Sequence, residues 1–195
     1  MEKATSFANS INRGLILTLK YKKQPQLFLH SISSNTTKVS FSKDPESLHI
    51  GSITTPKLTS SSTSTSSIPG SGISIPTEET LQRLQITTSN FTPNRDFLTL
   101  LQNLFSTKVK DDMTYQIDAL NYPLSYMAIA DLRAPISYMN QRADLEDTFG
   151  FVHVDQFGEI VDGTYEPSET YRLCGYEGII KLSDFMCEEV CKAID

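Results

Sequence analysis

The chain has no tryptophan, three histidines and three cysteines in its 195 residues. Each shortage closes off a kind of chemistry. Cys174, Cys187 and Cys191 are odd in number and crowd the C-terminal end, which makes a poor disulfide framework. They fit a reducing compartment, where thiols serve as small apolar groups. His30 and His49 lie in the front part, so the rest of the chain offers only His153 as an imidazole base. No apolar run approaches the ~20 residues that cross a bilayer. The longest, Leu15-Ile16-Leu17-Thr18-Leu19, is about a quarter of that, so no integral membrane segment is expected. A glycine-rich phosphate loop is missing as well: the Gly-Ser-Gly at 70–72 lacks a following lysine and a strand–helix setting.

Cations are unevenly placed. Residues 1–77 hold eight Lys/Arg against three acids (Glu2, Asp44, Glu46), whereas residues 78–195 hold nine against twenty. An acidic body repels phosphate backbones, so no nucleic-acid partner is expected for it.

What is abundant up front is hydroxyl. Residues 59–67, TSSSTSTSS, are nine consecutive Ser and Thr, followed by Pro69, Gly70, Gly72 and Pro76. Such side chains compete with the backbone for hydrogen bonds and bury almost nothing. Residues 52–77 are therefore read as a disordered spacer. Residues 1–51 are basic, hydroxyl-rich and poor in acid, the composition of an organelle transit segment. Phe7, Ile11 and Leu15 form one apolar stripe at helical spacing, with Lys20, Lys22 and Lys23 extending the positive charge. A rival reading makes "LILTLKY" and "LFLHSI" two strands around a "KKQPQ" turn. A secretory core over 14–19 is too short and runs straight into lysines. A cytosolic tail with a proline-directed site at Thr55-Pro56 is a further alternative.

From residue 78 the pattern is that of an α+β domain with a small, mostly antiparallel sheet and three or four helices, preceded by a largely disordered N-terminal region. "TEETLQRLQ" starts a helix capped by Thr77. A second spans about 93–108, with Thr92 as cap, Pro93 at its first position and Phe97, Leu100, Leu101, Leu104 and Phe105 as its inner stripe. Met113, Ile117 and Leu120 predict a third, ending before Pro123. A strand follows over 125–132, a helical turn over 144–147, and a hairpin of 149–154 with 158–161 about "DQF". Short strands at 171–174 and 179–182 flank "GYEG", and Ser183 caps a last helix over 184–194, with Phe185, Met186, Val190 and Ile194 as core candidates.

In order and spacing, "KDDMTYQIDALNYP", "DLRAP", "EDTFGFVHVD", "GTYEP" and "YRLCGYEG" resemble a family of uncharacterised fungal mitochondrial proteins over about residues 95–190. The resemblance implies a mitochondrial address and brings no catalytic residue with it.

Candidate site residues are few. Arg133 and Arg172 could form an anion pocket, since guanidinium forks grip carboxylate or phosphate through two bonds, and His153 could serve there as a base. The alternative is that each arginine pairs with a nearby carboxylate such as Asp131, Glu169 or Glu177, and that His153 is an ordinary strand residue. Arg142 is the other notable cation of the body. Cys187 and Cys191, at i and i+4, could join Cys174 as soft metal ligands, but without a Cys-x-x-Cys and with no fourth ligand beyond His153 they read as core filler. No catalytic residue, metal or cofactor is assigned. The expectation is a protein of the mitochondrial matrix, or else the cytoplasm, acting as an interaction or assembly domain with a protein partner. The alternatives are a small anion-binding domain or enzyme using Arg133, Arg172 and His153, and a cytosolic adaptor with a phosphorylatable tail.

Overall fold

The structure is a computed structural model that describes residues 16–33, 35–54, 81, 84–133 and 143–194. Four strands open it: β1 (Leu17–Lys20), β2 (Phe28–Ser31), β3 (Thr36–Ser40) and β4 (Gly51–Thr54). They form an antiparallel meander, and β5 (Phe91–Pro93) pairs with β4 to complete a five-stranded sheet. Alternation drives this. Leu29, Val39 and Gly51 are in register, and Leu29, Val39 and Ile53 are buried with Leu27 and Phe41 just outside the strands. Gly51 sits where Phe91 crosses: a Cβ there would run into the Phe91 ring and the Thr92 carbonyl.

The period then lengthens to that of helices. α1 (Arg95–Lys108) buries Phe97, Leu101 and Phe105. Its cap is Asn94, whose side-chain oxygen accepts from the Asp96 amide at 3.1 Å. The expected cap and first-turn residues, Thr92 and Pro93, belong to β5 instead; β5 is an edge strand, where the proline's missing N–H leaves no ladder bond unmade. α1 is the spine of the molecule. Phe97 stacks on Phe41 of the front sheet, 6.0 Å between centroids, and Phe105 stacks on Phe149 at 4.3 Å.

A 3₁₀ turn (Val109–Asp111) leads to α2 (Met113–Ala119). β6 (Tyr126–Ala130), β7 (Thr148–His153) and β8 (Glu166–Pro167) form a three-stranded antiparallel sheet, with a 3₁₀ turn (Leu145–Asp147) before β7. β9 (Cys174–Gly175) and β10 (Gly178–Ile179) make a short ribbon. α3 (Asp184–Ile194) buries Met186, Val190 and Ile194 and is capped by Ser183, whose hydroxyl accepts from the Met186 amide at 3.1 Å. Strand pairing is antiparallel throughout the named sheets, and the class is α+β. No helix among the described residues is long and apolar enough to cross a membrane.

The boundary expected at residue 78 is corrected. The core takes in Tyr21, Leu27, Leu29, Val39, Phe41, Ile50 and Ile53 together with the residues of α1, α3 and the second sheet. Polar links join the same parts: Gln26 donates from Nε2 to the Leu182 carbonyl at 2.8 Å and accepts from the Leu182 amide at 3.2 Å. The basic front end is thus a charged exterior, with Lys20, Lys22, Lys23 and Lys43 exposed, on a segment whose other side chains fill the core. The rival two-strand reading matches β1 and β2. Residues 1–15 and 55–77, with the Phe7–Leu15 stripe and the hydroxyl run, lie outside the described residues, as do Arg142 and most of the helix expected from residue 78; of that helix Leu81 is helical and buried. The ends of the hydroxyl-rich segment are placed, however. The Thr54 amide donates to the Asn90 carbonyl at 3.0 Å, so the segment connects two neighbouring strands of one sheet and is not a spacer between two parts.

Candidate functional site

Arg133 follows β6 and lies almost wholly inside the protein, its side chain 2% exposed. Every arm of the fork is occupied. Nε donates to Asp147 Oδ1 at 2.7 Å, Nη1 to the Gly178 carbonyl at 3.1 Å, and Nη2 to the carbonyls of Glu146 at 3.0 Å and Arg172 at 2.9 Å as well as to Asp147. Asp131 lies 3.5 Å from Nε and accepts from the Arg133 and Lys181 amides and the Tyr171 hydroxyl. Burial pushes the Asp131 carboxyl up to about 6, against the pull of Arg133 and those hydrogen bonds. The cluster is a closed structural knot tying β6, the turn before β7 and the β9–β10 ribbon together. Nε and both terminal nitrogens are thus engaged by internal acceptors, which leaves no free two-pronged face for gripping an outside anion.

The other two expected site residues do not join it. Arg172 contributes its carbonyl to Arg133, while its own side chain is 66% exposed and stands 3.8 Å from Glu146. His153 pairs with Tyr126 at the opposite end of the β6–β7 ladder from Asp131, with the two rings edge to face at 5.3 Å. The ladder between them is about 15 Å long at the usual rise of a strand. The arginines behave as the carboxylate-pairing alternative has it, and the three residues form no shared pocket.

The cysteines are spread likewise. Cys174 is buried on β9, while Cys187 and Cys191 lie on α3 against the core. Burial, then the neighbouring Cys191, pushes the Cys187 thiol up to about 12, a poor state for a thiolate ligand or nucleophile. The Cys191 thiol faces the Phe41 carbonyl at 3.7 Å. Among the described residues no group of three or more metal-ligating side chains comes together.

The unoccupied chemistry is apolar and sits on α2. Asp112 caps this helix by accepting from the Thr114 amide at 2.9 Å, and the same buried carboxylate takes the Ser183 hydroxyl, so the caps of α2 and α3 are locked together. Tyr115 and Ala119 face inward; the Tyr115 hydroxyl donates to the Ala130 carbonyl at 3.0 Å. This turns the stripe expected to be core outward: Met113 is 65%, Ile117 57% and Leu120 63% exposed. Burying each such side chain is worth roughly 1.5–3 kcal/mol, a gain the folded chain leaves unused.

The stripe forms one wall of a groove of ≈ 450 Å³, with Gly158 and Ile160 on the other side. The opposite wall is the tight turn after β7. Asp155 Oδ1 accepts from the Phe157 and Glu159 amides at 2.8 and 2.9 Å, and the Val154–Ile160 bridge closes the turn. Gly158 has φ +83° and lies flat on Leu120: an added Cβ would meet Leu120 Cα at 3.0 Å. Phe157 stands at the tip of this turn, and Leu124, at φ 55°, is tied to it by a hydrogen bond from its amide to the Asp155 carbonyl; both side chains are 73% exposed. A leucine in the left-handed region costs about 1–2 kcal/mol, and here it sustains an exposed apolar side chain. Lys110, Asp111 and Glu159 rim the groove. Compared with known proteins, the chain matches no family model, no curated protein and no solved structure.

Proposed function

We propose that this chain is a protein-interaction domain, an accessory or assembly component without catalysis of its own, and that it docks its partner on the outer face of α2. The carrying observation is the exposure of Met113, Ile117 and Leu120 on a helix whose opposite face is anchored in the core. A contiguous apolar stripe beside a groove is the usual form of a helix- or strand-binding surface. The Arg133 fork is committed to internal carbonyls and a carboxylate, and Arg172 stands apart from it on the surface beside Glu146, which weighs against a shared anion pocket. The fungal-family resemblance supports a mitochondrial, matrix address, whereas most of the front-end lysines belong to folded strands and their connections and no longer argue for one. Since β1 begins at Leu17, an import signal compatible with this fold lies within residues 1–16.

A photo-crosslinking residue placed at Ile117 in the cellular protein tests the docking face. One discrete protein adduct is expected, and it should vanish when Met113→Ser and Leu120→Ser are added. Those substitutions are at exposed positions and should change unfolding free energy by no more than about 0.5 kcal/mol each. Absence of a discrete adduct at 117, with adducts at a control position such as Lys43 just as frequent, overturns the reading.

A further inference from the structure

The groove on α2 carries a second signal, its charge. Between residues 111 and 132, and again between 143 and 171, the sequence contains no lysine or arginine. Among the described residues that line the groove, the one cation, Lys110, is held by Asp162 at 2.6 Å. Asp111, Asp118 and Glu159 are exposed around the stripe, and none of the three forms an ion pair among the described residues. Beside them, Asp155 spends one carboxylate oxygen on the turn amides. The apolar stripe is therefore set in a field of one sign.

Resting on the docking face proposed above, we infer that its occupant is a basic amphipathic segment of another protein: a short helix with two or three large apolar residues on one side and Lys or Arg flanking them, laid along Met113, Ile117 and Leu120 with its cations over Asp111, Asp118 and Glu159. The length agrees. From Met113 to Leu120 the stripe spans eight residues, seven helical rises or about 10 Å, so it matches roughly two turns of a partner helix. The sign selects against the other occupants. A second copy of this chain would bring the same carboxylates face to face, and an anionic lipid surface or a nucleic acid would be repelled. Opposite charge at the rim speeds encounter and fixes register, while the apolar contact supplies the affinity.

The test is a displayed library of random linear peptides selected against the full chain, with each selected peptide re-measured on Ile117→Asp and on the charge reversals Asp111→Lys and Glu159→Lys, all at exposed positions. Expected are net-positive peptides with apolar residues at helical spacing, bound about tenfold more weakly by either reversal and weakened by salt at rim-exposed charges. Neutral or acidic peptides whose binding is lost in Ile117→Asp would overturn the basic partner while leaving the docking face standing. Peptides indifferent to Ile117→Asp would overturn both.

Discussion

Two buried polar clusters hold this molecule together, and they are made of opposite materials. In the front sheet the centre is His30, 1% exposed, where burial favours the neutral imidazole by lowering its pKa. Its Nε2 faces the Ser42 carbonyl at 3.1 Å; a carbonyl only accepts, so that nitrogen carries the proton, and Nδ1 accepts from the Thr18 hydroxyl at 3.0 Å. Ser40 and Ser42 extend the set, the Ser42 amide donating to Ser40 Oγ at 3.1 Å. In the second sheet the centre is the ion set Arg133, Asp131 and Asp147, with the neutral Tyr171 hydroxyl donating to Asp131. A neutral cluster is harmed by gaining a charge, and an ionic one by losing a charge.

That contrast can be broken or sharpened in three ways. The largest effect is removal of the neutral cluster with its strands. A chain begun at residue 78 lacks Leu27, Leu29, Val39, Phe41, Ile50 and Ile53 from the common core and bares Phe97. It is expected to show no cooperative unfolding by calorimetry; a sharp transition would mean that α1 and the second sheet close a core alone. Next comes Arg133→Ala, which leaves Asp131 and Asp147 buried without their countercharge. A loss of about 3–5 kcal/mol in denaturant unfolding is expected, and a loss under about 1 kcal/mol would show the knot to be dispensable.

The smallest effect is a pH slope. Burial lowers the His30 pKa below its usual ~6.5. As pH falls below that value the unfolded chain takes up the proton and the folded chain does not, so stability is lost on acidification. His49, also lowered by burial, adds in the same direction. The stability gap between the wild type and His30→Gln is therefore expected to narrow as pH is lowered through the histidine range. A gap that stays constant with pH would remove His30 from the account.

Much of the rear of the fold is legible in the residues themselves. Ser183 caps α3 as its position before an amphipathic run implies, and Val154 pairs with Ile160 across the expected tight turn. The stripes on α1 and α2 show the limit. Both have helical spacing, yet Phe97, Leu101 and Phe105 are buried while Met113, Ile117 and Leu120 are exposed. α2 has apolar residues on two faces, and periodicity cannot choose between them. Tyr115 decides, because its ring meets Phe105 and its hydroxyl reaches the Ala130 carbonyl, contacts distant in sequence. Of the front strands, β1 and β2 are legible only as a rival to a transit segment and β3 and β4 not at all, for another reason. Their buried positions include His30, Ser31, Thr37 and Ser40, residues counted as polar by hydropathy but, Thr37 excepted, satisfied by the Thr18 and Ser47 hydroxyls and by backbone carbonyls. Arg133 and Arg172 could be named from sequence as cations in an acidic body; that one is walled in by carbonyls from three segments is visible only once the chain is folded.

The pairing of β4 with β5 has a consequence for the hydroxyl-rich stretch between them. Because Ile53 and Phe91 sit opposite each other, a protease nick anywhere in that stretch would yield two fragments already zipped along a shared ladder, and each would keep hold of the other. The length of the β4–β5 connection sets its closure entropy, which grows as the logarithm of its size.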